Sequence, residues 1–501
     1  MSQRVTLDIS PAPILDAFEN YAGSFFDLDR GIALDGPALR TFRDRLVEAL
    51  CRNGLAAGDR VVFCVGNGPA FLAGLAAVLT AAGSPLLMHP QSPPAELKRT
   101  ALRWGARAVI VDDVSAPDWP TGSVASLAAS AGFELFSARI EDTAADVHAA
   151  TLALPGVPLH PTSGTTGVPK VAVRPAAAAE AEARHYIETI GVSGDDALLA
   201  AAPMCHAYAY GLCVMVPLFS GAHVASMRSF QPDLALEALA SGRITIFPAV
   251  PAMLDVLLFD EAKETWDATR CVLTAGSPLP ERTANRFREK TGIPVRPLYG
   301  TTETGGISVA AAEGTPLCGG QVGPAMRGVD AQIAADAVPS GAPAGVGRLL
   351  IRSSSMMAGY LGTGELATGR LGTGGIDESV LTDGWFDTGD LASIGSDGNL
   401  QLMGRESEVI NVEGSKVIPC EVEEVIASFP GIREVKVYAG HRRNGAQFVK
   451  AAVVSDAPVD ATSLLAHCER NLVYYKCPER IMALDALPRS PAGKILRDQL
   501  P

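Results

Sequence analysis

The chain has 501 residues, 48% hydrophobic and 19% charged, which is enough for two or more domains with buried cores. Its net charge of −14 and its lack of long Lys/Arg runs argue against a nucleic-acid binder, although a local pocket can still hold an anionic ligand. Nine cysteines without a C-x-x-C spacing predict reduced thiols and a cytoplasmic location. No membrane insertion is expected, because the longest apolar run, residues 71–82, is too short to span a bilayer.

The first part of the chain alternates between predicted helices and predicted strands. Residues 40–50 have helical apolar spacing, residues 60–65 form a short apolar strand, and residues 71–79 read as a buried helix. The glycine turn at 66–69 resembles a dinucleotide fingerprint, but Phe71 stands where the third glycine is needed. Further strands are predicted at residues 83–88 and 106–111. The alternation predicts parallel sheets with helices on their faces.

Residues 114–150 are weakly patterned and are expected to connect two subdomains. A loop rich in hydroxyl groups and glycine follows them. It can offer backbone N–H groups, hydroxyls and one ammonium group to phosphate oxygens, and the alternative is an ordinary surface turn. A Walker loop is excluded, because Pro169 precedes the lysine and Val171 follows it. The predicted phosphate-binding residues are Thr162, Ser163, Gly164, Thr165, Thr166, Gly167 and Lys170.

A helix is predicted at 176–190, followed by a buried run that leads to His206 and Tyr208. This position suits the wall of a pocket, although a single histidine is more often an ordinary core residue. Strands are also predicted at 244–247 and 272–277, the second of which ends in small residues.

The predicted strand 295–298 ends in the residues YGTTETGG. The carboxyl end of a sheet strand is where α/β proteins bind ligands. Thr302 and Glu303 suit a phosphate and its Mg²⁺, since Mg²⁺ shares oxygen ligands with phosphates. A helix start capped by threonine explains the same residues equally well.

Later residues predict a change of architecture. Asp390 lies in a Gly-Asp turn, where it is either a turn residue or a carboxylate for two sugar hydroxyls. A helix opened by Pro419 is followed by strands at 434–438 and 448–454, which predicts a small α+β domain. Lys494, in a proline-rich tail, reads by itself as a surface charge.

The order of these motifs resembles the adenylate-forming (AMP-binding) superfamily, which contains acyl-CoA synthetases, peptide-synthetase adenylation domains and luciferase. The resemblance covers nearly the whole chain and is strongest to a stand-alone acyl-CoA synthetase. It implies an α/β fold with a large N-terminal domain of layered subdomains, mainly parallel sheets and a small β subdomain. A small α+β C-terminal domain is expected to rotate on a hinge. The implied boundaries are 1–404, a hinge at 405–408, and 409–501.

The resemblance also implies a reaction and a role for each motif. A carboxylate attacks the α-phosphate of ATP, which gives acyl-AMP and pyrophosphate, and a thiol then takes the acyl group. Implied catalytic residues are Lys494, Thr302, Glu303 (also the Mg²⁺ ligand) and His206. CoA is expected to bind near Gly414 and Lys416. The acid is expected to contact His206, Tyr208, Ala249 and Gly305. The nucleotide is expected to contact Gly276, Ser277, Tyr299, Gly300, Thr301, Asp390 and Arg405.

One departure from the family pattern concerns the hinge, where Ser407 replaces the usual Asp or Lys. This is either neutral or a shift in the balance between the two half-reactions. The leading hypothesis is an ATP-dependent acyl-CoA synthetase that uses ATP, Mg²⁺ and CoA. The alternatives are an enzyme that loads an acyl carrier protein, a half-reaction specialist, and a non-catalytic nucleotide-binding relic. The sequence does not identify the acid, and it is compatible with a homodimer as well as with a monomer.

Overall fold

The computed structural model describes residues 10–119, 124–140, 154, 156–162, 170–258, 266–312, 320–334, 345–362, 376–412, 415–442, 447–472, 474–490 and 495–501. Two large mixed sheets and an antiparallel sheet form the N-terminal part, and a smaller α+β unit follows. Within the described residues, no helix combines the length and the apolar character needed to cross a bilayer. The predicted α/β fold with a smaller α+β unit at the C-terminal end is confirmed.

The nine-stranded sheet has a parallel centre with antiparallel strands on both sides. In spatial order its strands are Ile376–Asp377, Gly359–Leu361, Lys170–Val173, Leu159–Thr162, Ser84–Leu87, Arg60–Cys64, Ala106–Asp112, Phe133–Arg139 and Ala125–Ser130. The last two strands correct the expectation of an unpatterned connection over 114–150. They form an edge hairpin whose alternating polar residues give only a weak sequence signal.

The eight-stranded sheet has six parallel strands at its centre and one antiparallel strand at each edge. Its strands are, in spatial order, Gly305–Val309, Val295–Thr301, Cys271–Thr274, Ile246–Ala249, Ala197–Ala200, His223–Ser226, Ser24–Asp27 and Ile32–Asp35. Because the central strands are parallel, their carboxyl ends meet at one edge of the sheet, where several of the predicted site residues follow them.

The helix Pro69–Thr80 lies between the two large sheets and is buried along almost its whole length. It is rich in alanine and leucine and opens with proline, which suits the first turn of a helix. This confirms the buried helix predicted over residues 71–79. The other helices of eight or more residues are Ala12–Glu19, Gly36–Arg52, Pro94–Trp104, Ala176–Ile190, Pro232–Ala240, Glu281–Thr291, Pro419–Ala427 and Ala461–Asn471.

Shorter helical segments connect several strands. Ala207–Tyr210, the π-helical turn Gly211–Met215 and Val216–Ser220 run on from one another, and Pro251–Leu257 follows the strand Ile246–Ala249. The 3-10 turns are Ala116–Asp118, Glu406–Glu408, Tyr474–Lys476 and Arg497–Gln499.

The remaining sheets are smaller. The antiparallel sheet is built, in spatial order, from Gln321–Pro324, Asn399–Arg405, Trp385–Ile394, Gly347–Ser353 and Val329–Ile333, and Leu381–Thr382 pairs with its long strand. In the C-terminal unit, Ile410–Val412 pairs with Ser415–Val417, and Ile432–His441, Gln447–Ser455 and Arg480–Ala483 form a three-stranded sheet. The helices at Pro419 and Ala461 pack with these strands around their own apolar core.

Candidate active site

Strand register places three predicted segments side by side at the edge of the eight-stranded sheet. Ala249, the last residue of its strand, is paired with Thr274, and Thr274 is paired with Pro297 in the strand that carries Tyr299. Gly276 lies two residues after Thr274, is exposed and has φ +90°, a conformation that favours glycine. The small-residue turn and the tyrosine motif are therefore neighbours, as a nucleotide-base site requires.

The predicted phosphate loop joins two antiparallel strands, with Thr162 paired to Lys170. The loop residues Ser163, Gly164, Thr165, Thr166 and Gly167 lie outside the described residues. The ammonium of Lys170 lies 4.7 Å from the centroid of the Tyr360 ring, a cation–π geometry. Tyr360 reaches this position because its strand pairs with Lys170–Val173. The base of the hairpin is thus fixed beside an aromatic side chain that the sequence did not single out.

The Thr302–Glu303 segment forms the tip of a hairpin, which excludes the alternative of a capped helix start. The backbone carbonyl of Glu303 accepts a 2.7 Å hydrogen bond from the Met357 amide, and its carboxylate accepts a 2.7 Å bond from the Tyr360 hydroxyl. The hydroxyl oxygens of Thr301 and Thr304 lie 3.1 Å apart, which closes the turn. The Glu303 carboxylate is therefore held in one orientation and remains partly exposed.

These residues fit a Mg²⁺ ion that is shared with substrate phosphates. No cluster of three or more His, Cys, Asp or Glu side chains suited to a metal occurs within the described part of the chain. A single fixed carboxylate is the protein contribution typical of Mg²⁺ bound to a nucleotide, since the ion keeps water and phosphate oxygens as its other ligands. Glu303 matches that requirement, and its role as the metal ligand remains a prediction.

Asp390 lies within the strand Trp385–Ile394 and is held from two sides. The Tyr299 hydroxyl donates a 2.6 Å hydrogen bond to one carboxylate oxygen, and Arg405 Nε donates a 3.1 Å bond to the other. Asp390 is directly opposite Arg405 in the antiparallel ladder. Burial raises the pKa of Asp390 above its usual range, and Arg405 and the Tyr299 hydroxyl oppose that rise. Arg405 also interacts electrostatically with Glu303, so the two carboxylates share one neighbourhood.

His206 lies at the start of the short helix Ala207–Tyr210, with its ring centroid 5.6 Å from that of His89. Burial, followed by the neighbouring His89, lowers the pKa of His206 to about 4. The imidazole is therefore neutral near pH 7, which suits a pocket wall and not a fixed positive charge. Its Nε2 atom is buried without a hydrogen-bond partner among the described residues. His89 is a neighbour that the sequence did not indicate.

The structure also places the other predicted residues. Ser407 is exposed in the 3-10 turn Glu406–Glu408, directly after the strand that ends at Arg405. Gly414, Lys494 and the side chain of Lys416 lie outside the described part of the chain. Tyr208 and Gly305 are in contacting elements, and Gly300 and Thr301 are paired with Gly306 and Gly305. The roles predicted for all of these residues remain predictions.

Comparison with known proteins identifies the family. Residues 37–361 match the family model described as AMP-binding enzyme. The chain belongs to this family. Residues 421–494 match the model of the C-terminal domain of AMP-binding enzymes, in agreement with the small α+β unit. The predicted recognition and fold are confirmed.

Similar proteins include two CoA ligases and a structure with bound ATP. The chain is 29% identical over 489 residues to the 2-succinylbenzoate–CoA ligase of Geobacillus kaustophilus, covering 95% of this chain and 96% of that protein. It is 30% identical over 348 residues to the indoleacetate–CoA ligase of Aromatoleum aromaticum, covering 68% of this chain and 65% of that protein. The fold is similar to that of ATP-bound MatB from Rhodopseudomonas palustris, with a TM-score of 0.80, 24% identity and 98% of each chain covered. The predicted enzyme class, an AMP-forming acid–thiol ligase, is confirmed.

Proposed function

We propose that this AMP-binding enzyme activates a carboxylic acid with ATP and transfers the acyl group to CoA. The observation that carries the proposal is the paired arrangement of two fixed carboxylates. Asp390 is held by Tyr299, Glu303 is held by Tyr360, and Arg405 interacts with both carboxylates. One carboxylate is suited to two ribose hydroxyls and the other to a Mg²⁺ ion on the phosphates.

In the first half-reaction an oxygen of the acid attacks the α-phosphate of ATP, and pyrophosphate leaves. The protein contributes position and charge, because the bond-making atoms belong to the substrates. We assign the β- and γ-phosphates to the loop between Thr162 and Lys170, and the α-phosphate to Thr302. A Mg²⁺ ion at Glu303 would supply charge neutralisation at the phosphates when bound. Lys494 bridges the acid and the α-phosphate in this proposal.

In the second half-reaction the thiol of CoA attacks the acyl carbon and AMP leaves. We propose that the unit 409–501 rotates about 405–408 between the two steps, which removes Lys494 and brings Gly414 and Lys416 to the acyl-adenylate. The strand that ends at Arg405, the exposed turn with Ser407 and the separate core of the small unit support this division.

The test measures the two half-reactions separately in the full-length enzyme. ATP–pyrophosphate exchange reports adenylation, and thioester formation from supplied acyl-AMP reports transfer. Lys494→Ala is expected to reduce exchange by about 100-fold or more and to leave transfer nearly unchanged, since the lysine acts on charge in the first step. Lys436→Ala is the matched control, because Lys436 is paired with Glu423 at 2.8 Å in the same unit. Unchanged exchange in Lys494→Ala contradicts the assigned role.

The same assays decide two finer points of the proposal. If both half-reactions run at comparable rates, the idea that Ser407 makes the enzyme a half-reaction specialist is wrong. Replacing CoA with phosphopantetheinyl carrier proteins tests the acceptor, and a strong preference for a carrier contradicts the assignment of CoA as the acceptor.

The eight cysteines that the structure describes are free thiols, which supports the proposed location in the reducing cytoplasm.

A further inference from the structure

A buried ion pair lies behind the proposed acyl pocket. Arg174 follows the strand Lys170–Val173, and its Nη2 is 2.8 Å from Oε2 of Glu182 in the next helix. Both side chains are 1% exposed. The other oxygen of Glu182 accepts a 3.0 Å hydrogen bond from the backbone amide of Gly306, and Arg174 Nη2 also donates to the Ser355 carbonyl at 3.2 Å. The pair is thereby joined to the strand that carries Gly305.

Polar atoms without partners surround this ion pair. Nε and Nη1 of Arg174, both ring nitrogens of His160, and the hydroxyls of Tyr208 and Tyr210 are buried, and none has a hydrogen-bond partner in the described ranges. Folded proteins pair the large majority of such groups, because an unpaired one costs about 1–3 kcal/mol. Six unpaired atoms in one region therefore indicate a place for a polar occupant.

These side chains converge on one region. The ring centroids of His160 and Tyr210 are 4.7 Å apart in an edge-to-face arrangement. Arg174 and His206 both interact electrostatically with His160, and Tyr210 interacts with Arg174. Tyr208 is linked to the ion pair through Tyr186, which interacts with both Glu182 and Tyr208. We call His160, Arg174, Glu182, Tyr208 and Tyr210 the polar floor. Its members come from a strand, a strand end, a helix and the short segment that starts after His206.

Glycine brings the polar floor into contact with the proposed acyl pocket. A Cβ atom at Gly305 would lie 2.8 Å from Nη2 of Arg174 and 2.7 Å from Cδ of Glu182, closer than side chains tolerate. Gly305 also has φ +71°, which favours glycine. Because Gly305 and Tyr208 are among the residues predicted to line the acyl pocket, we place the polar floor at the inner end of that pocket.

The charge of the polar floor limits what it can bind. Glu182 already balances the charge of Arg174, so a second carboxylate on the acid would bring an uncompensated negative charge into a buried site. Burial lowers the pKa of His160 well below its usual value, which leaves a neutral ring with one donor and one acceptor. The free donors on Arg174 and the two tyrosines suit a neutral oxygen atom.

We propose that the polar floor binds a ketone or hydroxyl oxygen on the acyl chain, so that the enzyme selects oxo or hydroxy acids over their deoxy parents. This inference rests on the proposed activation of a carboxylic acid by ATP. The oxygen accepts hydrogen bonds from Arg174 and Tyr210, and an acid without it leaves those donors unpaired.

The experiment uses the full-length enzyme and measures kcat/KM for pyrophosphate release. The acids are alkyl and aryl carboxylates with an oxo or hydroxyl group at successive carbons, each paired with its deoxy parent and with a dicarboxylate of similar length. At least one oxygenated acid is expected to exceed its parent by about 10-fold or more. Equal rates within every pair, the result expected if water alone fills the site, overturn the inference, as does a preference for the dicarboxylates.

Two variants test whether the polar floor causes the preference. Tyr210→Phe removes only an unpaired hydroxyl, and the double variant Arg174→Met/Glu182→Leu removes the ion pair without leaving one charge behind. Each variant is expected to reduce the preference for the oxygenated acid over its deoxy parent by several-fold, which corresponds to the loss of about one hydrogen bond. Tyr21→Phe is the matched control, because the Tyr21 hydroxyl is buried and donates to the Ala222 carbonyl at 2.8 Å, elsewhere in the fold.

A preference that survives in both variants overturns the assignment to the polar floor. Failure of the proposed function looks different, since the wild-type enzyme would then release no pyrophosphate with any acid of the panel. That result refutes acid activation, and the inference that rests on it, without any comparison within pairs.

Discussion

The Arg174–Glu182 pair gives the sharpest test of the energetics of this fold. At an effective dielectric constant of about 20, two unit charges 2.8 Å apart attract by roughly 6 kcal/mol. Most of this attraction is needed to offset the cost of removing the two charged side chains from water. Removing one partner should therefore be far worse than removing both. Glu182→Leu leaves a buried guanidinium uncompensated, which costs about 3–5 kcal/mol, and also leaves the Gly306 amide without its acceptor.

The double variant Arg174→Met/Glu182→Leu replaces both charges with apolar side chains of similar volume. Its remaining defects are the Gly306 amide and the Ser355 carbonyl, which both lose their partner, so we expect a loss of about 2–6 kcal/mol. The coupling energy between the two sites should then be at least about 2 kcal/mol. The same helix offers a matched control, since Glu180 pairs with Arg184 at 2.6 Å on the surface. Glu180→Leu should change stability by less than about 1 kcal/mol.

Urea unfolding followed by tryptophan fluorescence measures these losses. All four tryptophans lie before residue 404, so the signal reports on the unit that contains the ion pair. The free energy of unfolding is compared among wild type, both single variants, the double variant and the control. The reasoning is refuted if Glu182→Leu loses less than about 1 kcal/mol, or if the double variant is as unstable as the sum of the single variants.

Three further predictions concern the two carboxylates and His206. Tyr360→Phe removes the 2.7 Å hydrogen bond that orients Glu303. The KM for Mg·ATP in steady-state assays should therefore rise by about 5-fold, the change expected from the loss of one hydrogen bond. Asp390→Asn should raise the KM for ATP by about 10-fold or more without destabilising the free enzyme at pH 7, because burial raises the pKa of Asp390 and so disfavours its charged form. The pKa of His206 is lowered to about 4 in the folded protein, whereas it is near 6.5 in the unfolded chain. Below about pH 6.5 the unfolded chain therefore binds a proton that the folded protein does not, and the free energy of unfolding decreases as the pH falls towards 4. His206→Gln should therefore weaken the loss of stability between pH 7 and pH 5 in urea titrations, and the exposed His223→Gln should not.

Each of these predictions has its own contrary result. Tyr438→Phe, in the C-terminal unit, is the control for Tyr360, and an equal rise in KM in both variants removes the proposed role of Tyr360. A loss of more than about 2 kcal/mol in Asp390→Asn at pH 7 contradicts the account of that carboxylate. An unchanged pH dependence in His206→Gln shows that this imidazole is not the group that titrates.

Local patterns in the sequence predicted much of the fold. The helix Ala176–Ile190 has the bounds that its composition indicated, and Pro419 begins the helix expected there. These elements are predictable because apolar spacing, Pro and Gly act within a few residues. The hairpin Ala125–Ser130 and Phe133–Arg139 was missed, since its strands lie at the edge of a sheet and carry mixed polar residues.

Contacts between segments that are distant in the chain could not be predicted from the sequence. Tyr360 is 57 residues from Glu303, and only strand pairing brings the two together. Arg174 carried a usable local signal, because a charge directly after the buried strand residues Val171–Val173 must be either paired or exposed. Its partner Glu182 could not be identified without the turn at Pro175 that sets the helix beside the strand.

The Tyr299–Asp390 and Tyr360–Glu303 pairs follow one physical logic. Each carboxylate is expected to meet a ligand, and each is held by a phenol hydroxyl at 2.6 or 2.7 Å. A phenol is a neutral donor, so at Glu303 it fixes the carboxylate without cancelling the charge that a metal ion needs, whereas Asp390 is also paired with Arg405 at 3.1 Å. A lysine in the same position would cancel that charge. The two tyrosines therefore preorganise the site at little electrostatic cost, and Arg405, within electrostatic range of both carboxylates, limits their mutual repulsion.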